Sequence, residues 1–207
     1  MFEARLNRIQ SEAQSLYEGI SGQPSPEIKV VVDPDYISAA ADTNSSTIHI
    51  NPHFLLSEKE VKKHYPHLKN PFYQALSTKP ALAEKTKRFT LAHEVAHLYY
   101  NHKHNVWDHY LSIFTMAPAS LILSPSMTFW PLIFSLILVK KIAAMIFRPL
   151  RQLSERYMEH QADLAAVKVI GDLQGFRWFC TIAEVLKSRS WAHPPPLKRL
   201  EYVESHV

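Results

Sequence analysis

Residues 90 to 102 read "TLAHEVAHLYYNH", with two histidines four apart and a glutamate directly after the first. On an α-helix, residues four apart share a face about one turn from each other. His93 and His97 can therefore offer both imidazoles to one ion. Glu94 lies on the flank of that face, where a carboxylate can take a proton from water. A pattern this short also arises by chance in a chain with 12 histidines, and short motifs carry that risk. The competing reading is a core helix carrying two satisfied histidines.

A catalytic zinc holds three protein ligands and keeps one position for water, whereas a structural zinc closes all four. Glu159 is the candidate third ligand. Asp163 follows it by four residues on the same helical face, where it can orient a ligand histidine through its second ring nitrogen. The competing reading for both is a solvated acidic face. His160 points about 100° away from Glu159 around the helix, which suits a surface or supporting residue better than a ligand. In such a site the metal polarises a carbonyl and lowers the pKa of water to about 7. Glu94 would accept the water proton and pass it to the leaving amine. A purely structural zinc has no use for that base.

These residues need elements to carry them. Pro80 suits a first helical position, Ser77 and Thr78 are possible caps, and "ALAEKTKRFTLAHEVAHLYY" contains no Gly or Pro. From Phe89 the segment is apolar on nearly every face, as in a buried central helix. "LSERYMEHQADLAAVKVIGD" predicts a second helix, capped by Ser154 and stopped by Gly171. "LQGFRWFCTIAEVLKSR" predicts a third, and "WAHPPPLKRLEYVESHV" a proline-rich turn into a short helix. Ahead of them, "MFEARLNRIQSEAQSLYEGI" is a charged amphipathic helix ending near Gly19 or Gly22, without the long apolar run of a secretory signal. "IKVVVD" and "TIHIN" read as short strands around the polar stretch "AADTNSS". Residues 57 to 79 read as irregular. Strands followed by a helical half give an α+β fold with a small, mostly antiparallel sheet packed on the two site helices.

Composition narrows the function. At 207 residues the chain can bury a full core in one domain. Net charge is +4 with the basic residues dispersed, so nothing supports nucleic-acid binding. The single cysteine, Cys180, excludes an internal disulfide and reads as a small buried apolar side chain.

The ordered set His93-Glu94-x-x-His97, Glu159-x-x-Ala162-Asp163 and His193-Pro194 with Arg199 downstream resembles the gluzincin metallopeptidases. Within them it is most similar to the HtpX and CAAX-prenyl-protease family and its small "minigluzincin" relatives. The resemblance covers residues 28 to 53 weakly and 85 to 104, 154 to 172 and 191 to 203 well. With residues 1–207 taken as one domain, it implies a zincin-like fold and one Zn²⁺ per chain on His93, His97 and Glu159. It implies endopeptidase activity on a peptide or protein substrate. It also implies that His193 and Arg199 donate to the tetrahedral oxygen, a role worth about 10²–10³ in rate. Strand Thr47-Ile48-His49-Ile50-Asn51 would then be the edge strand that binds substrate through its main chain. "RFTLAHEVAHLYYNH" also resembles the active-site helix of ImmA/IrrE-type peptidases, which cut repressors, although "EHQADLAA" and "HPPPLKRL" match that group poorly.

Between the zinc motifs, Leu111 to Val139 contains 29 residues and no charge. Glu159 must reach the ion held by His93 and His97, so any number of membrane crossings between them is even. Two crossings need about 40 apolar residues, more than this stretch has, and Pro118, Pro125 and Pro131 break it. The expectation is a hydrophobic helical hairpin over 111–147, turning near Ser124-Pro125-Ser126, that dips into one leaflet or packs on the domain. The lysines and arginines that follow favour the cytoplasmic face. That makes a membrane surface a candidate partner, with the site facing the cytoplasm, and leaves a cytoplasmic protein as the alternative. A non-catalytic zinc protein that uses the hairpin to bind a membrane or partner is the remaining class.

Overall fold

The structure, a computed structural model, describes residues 2–102, 129–186 and 194–207. It divides into two units: residues 1–102 with 158–207, and residues 103–157. The hairpin turn expected near residues 124–126 and His193 lie outside the described residues, as does the rest of 103–128. The expected insertion, 111–147, falls within the second unit.

In the first unit, helix α1 (Phe2–Ser21) leads to strands β1 (Lys29–Val32), β2 (Ala39–Asp42) and β3 (Thr47–Ile50). Gly22 ends α1 with φ of 65°, a left-handed conformation that costs a glycine little. The sheet is mixed rather than mostly antiparallel. Its order is β1-β3-β2, with β1 parallel to β3 and β2 antiparallel to it. The two expected strands are present, but β2 comes from a stretch that reads as polar loop. A tight turn makes it: Asp42 Oδ1 accepts from the Asn44 N–H at 3.0 Å and Oδ2 from the Ser45 hydroxyl at 2.6 Å. That turn folds β2 back onto β3. The edge position expected for Thr47 to Asn51 is thereby corrected. β3 is the inner strand with both neighbours paired, and Ile48 and Ile50 are fully buried.

Residues 57–79 are also more regular than expected. Helix α2 (Glu58–His64) starts on a reciprocal Ser57–Glu60 capping box. Helix α3 (Pro71–Ser77) has Asn70 as its cap and Pro71 at its first position. Ser77 and Thr78 do not cap the next helix. Their hydroxyls donate to Gln74 and Ala75 carbonyls and close α3.

Helix α4 (Pro80–Tyr99) is the central rod. Phe89, Leu91, Ala92, Val95 and Ala96 are all buried, with α1, α3, β2 and the later helix α6 packed around it. Helix α5 (Phe129–Ile170) carries the third-ligand motif and is far longer than the segment expected to start at Ser154. It runs through both Pro149 and Ser154, because the intervening Leu150, Arg151, Gln152 and Leu153 favour helix and outweigh one missing backbone hydrogen bond. Its stop at Gly171, with φ of 68°, is as expected. Helices α6 (Gln174–Val185) and α7 (Pro196–Glu204) complete the first unit. Phe176 of α6 packs against Phe89 with ring centroids 4.7 Å apart, and Cys180 is wholly buried.

Candidate metal centre

Helical period brings the first two donors together. His93 Nε2 and His97 Nε2, one turn apart on α4, lie 3.1 Å from each other. Glu159, from α5, approaches the same point. Its Oε2 is 3.5 Å from His93 Nε2 and its Oε1 is 3.5 Å from His97 Nε2. A tetrahedral ion bonded at 2.0–2.1 Å sets its ligand atoms about 3.4 Å apart. The three donors therefore have the spacing that zinc requires, and two nitrogens with one carboxylate oxygen are a donor set zinc accepts. All three residues are buried. The three residues expected as ligands are thus grouped so that they could hold one ion.

The side of the site away from the ion is built from charge. Asp163, one turn beyond Glu159 and fully buried, lies 2.9 Å from His93 Nδ1 through its Oδ1. Arg199 of α7 grips the same carboxylate with both prongs. Nε donates to Oδ2 at 2.7 Å and Nη2 to Oδ1 at 2.6 Å, and Nη2 also reaches Glu159 Oε2 at 3.4 Å. The ring of Phe179 lies under the guanidinium. Arg199 is thus buried and engaged with two carboxylates, Asp163 and Glu159. Asp163 lies on the Nδ1 side of His93, the face on which it was expected. His160 packs against Tyr202, with ring centroids 4.2 Å apart, and is not among the converging donors.

Burial and charge compete at each group. Burial pushes Asp163 up, but Arg199 and then His93 hold its carboxyl below the ordinary value. Burial works against a charged His93, yet the carboxylates of Asp163 and Glu159 override it and push its pKa up to about 10. Burial pushes His97 down to about 4, with His93 adding to the effect and Glu159 opposing it. Burial thus favours the uncharged imidazole at His97, the form in which a histidine can coordinate a metal.

Glu94 is placed differently. It is half-buried, and its Oε2 accepts from the Ala41 N–H at 2.9 Å. Ala41 belongs to β2, an edge strand of the three-stranded sheet.

The model of peptidase family M48 matches residues 3–207. The chain belongs to peptidase family M48. It is therefore a zinc metallopeptidase of the HtpX and CAAX-protease-like kind, a hydrolase of peptide bonds whose substrate is a peptide or protein. No curated protein matches the chain, and no solved structure does. The M48 match covers both zinc motifs and the C-terminal Arg199, and the similarity to repressor-cutting peptidases gains no support beside it. One residue of this M48 site escaped the sequence reading. His102, buried, lies 2.8 Å from His97 through its Nδ1. The only signal was a histidine beyond an asparagine at a helix end.

Proposed function

We propose that this M48 chain is an endopeptidase in which Glu94 is the general base. The observation that carries the reading is an asymmetry. His93, His97 and Glu159 are buried and converge, while Glu94 on the same helix is half-buried and meets the sheet edge. Bound zinc would supply a Lewis acid and lower the pKa of water into the neutral range. Glu94 then removes a proton from the attacking water and returns it to the leaving amine. An extended substrate pairs with β2, the edge strand beside Glu94, in place of the inner β3. Main-chain bonds to β2 supply affinity and set the scissile carbonyl beside Glu94. His193 keeps its proposed role as oxyanion donor, on the strength of the motif resemblance. Arg199 acts instead as a positioning residue through Asp163 and Glu159.

Glu94→Gln should retain zinc and lose about 10²–10⁴ of the peptide-cleavage rate, the usual worth of acid–base catalysis. His93→Ala should lose most of the zinc. A Glu94→Gln enzyme that cleaves a quenched-fluorescent peptide at the wild-type rate would remove Glu94 from the mechanism.

We further propose that the 111–147 segment rests on a membrane surface at the cytoplasmic side. Leu138, Ile142, Met145, Leu150 and Leu153 of α5 are exposed, with Lys141 among them, a pairing that suits an anionic lipid surface. Among the described residues no helix is long and apolar enough to cross a membrane. Deleting residues 112 to 146 behind a Gly/Ser linker should abolish co-sedimentation with anionic vesicles and spare zinc binding. A deletion that leaves vesicle binding intact overturns the assignment.

A further inference from the structure

The end of α4 is built to return a side chain to the metal centre. Tyr100 is its C-cap, and Asn101 follows in the left-handed region with φ of 52°. The Asn101 N–H donates to Leu98 O and the His102 N–H to His97 O, both at 3.1 Å. This is a Schellman stop, with asparagine in the place usually held by glycine. The stop turns the chain so that His102 lies under the helix it has just left. There its ring stacks on Tyr100 and meets the ring of His97, with centroids 4.9 Å apart.

The nitrogens then form a line. His102 Nδ1 is 2.8 Å from His97 Nδ1, and His102 Nε2 is 3.2 Å from Gln161 Oε1 on α5. Proton positions along this line follow from one requirement. If His97 Nε2 is to face an ion, its proton sits on Nδ1 and is donated to His102 Nδ1. The His102 proton must then sit on Nε2, where the Gln161 carbonyl oxygen accepts it. With the His102 proton on Nδ1 instead, two N–H donors would face each other across 2.8 Å.

We infer that His102 is a positioning residue that fixes the tautomer and ring direction of His97 for metal binding, with Gln161 as its anchor. The inference rests on the metal-centre reading above. The two ligand histidines are then backed unequally: His93 by a carboxylate and its arginine, His97 by a neutral ring and an amide. Outer partners of this type commonly change metal affinity by about 10–100-fold.

Zinc dissociation constants from chelator competition, with the absorption spectrum of the Co²⁺-substituted protein, test it on the full chain. His102→Phe keeps the ring volume and removes both nitrogens. His102→Asn keeps an acceptor near the Nδ1 position. His102→Phe should weaken zinc about 10–100-fold and change the Co²⁺ spectrum, and His102→Asn should recover most of both. Zinc bound by His102→Phe within twofold of wild type, or a His102→Asn variant as weak as His102→Phe, overturns the inference. Should His102→Phe fail to fold, Gln161→Leu decides: weaker zinc binding supports the relay, and unchanged binding overturns it. His93→Ala serves as the separate control. If that variant also binds zinc normally, the metal-centre reading itself has failed.

Discussion

Asp163 offers the sharpest separation between holding the fold and holding the metal. It is fully buried, takes two hydrogen bonds from Arg199 at 2.7 and 2.6 Å, and sits 2.9 Å from His93 Nδ1. Asp163→Ala leaves the Arg199 guanidinium buried, with Glu159 at 3.4 Å as its remaining carboxylate here. Breaking a buried pair by removing one partner costs about 3–5 kcal/mol. At about 2–4 °C per kcal/mol for a chain of this size, the metal-free melting temperature should fall by roughly 6–20 °C. Zinc should bind about 10–100-fold more weakly because His93 loses the acceptor that orients it. The double variant Asp163→Leu/Arg199→Met removes both charges, and apolar replacement of a buried pair is often neutral or stabilising. Its melting temperature should return near wild type while its zinc affinity stays low. Arg199→Met alone, which keeps Asp163 beside His93, should lose less affinity than Asp163→Ala. Melts are taken in chelator, since bound zinc would itself raise stability, and affinities come from competition titration. If the double variant regains both stability and wild-type zinc affinity, Asp163 is only a packing partner and the reasoning fails.

Gly175→Ala should destabilise, although helix propensity favours alanine. An added Cβ would meet the Lys85 carbonyl and lie 3.0 Å from Thr86 N, so α6 must move off α4. Overpacking of this kind costs about 1–3 kcal/mol, read as a melting temperature lower by roughly 2–12 °C; an unchanged or raised value would contradict the close approach. Burial pushes the Cys180 thiol from 9.0 up to about 12. The folded state thus favours the protonated thiol. Its contribution should be complete below pH 9 and decline as pH rises toward 12, and it should vanish from the alkaline melting profile of Cys180→Ala. Native protein should also resist iodoacetamide at pH 8 and react once unfolded; fast alkylation of the native chain would show that the thiol is open. Asn101→Gly should preserve fold and zinc affinity, because glycine accepts the left-handed stop at least as readily. Asn101→Val should weaken both in the same assays, and a neutral valine variant would show that the stop does not need that conformation.

The metal-facing half of the site was legible because helical period is local. Spacings of four put His93 with His97, and Glu159 with Asp163, on shared faces of helices whose propensity was plain. Sheet order is not local in that sense. "TIHI" reads as a strand from its alternation, but nothing in those four residues says that β2 will cover its second edge. β2 itself is "AAAD", weak in strand propensity, and exists because the Asp42 turn folds it onto β3. The short helices α2 and α3 carried legible signals, Ser57-x-x-Glu60 and Asn70-Pro71, yet each is only seven residues, too short for periodicity to declare. Arg199 shows the same limit at the site: resemblance placed it with the chemistry, and only the tertiary fold sets its fork on Asp163. His102 is the instructive case between these extremes. Asn101 marks a helix stop that can be read from sequence, and a Schellman stop sends the residue after it back toward the last turn. When that last turn carries a metal-ligand candidate, a polar residue two past the C-cap becomes a candidate partner for it. Local geometry can therefore extend a sequence-read site by one shell wherever the helix that bears it ends close by.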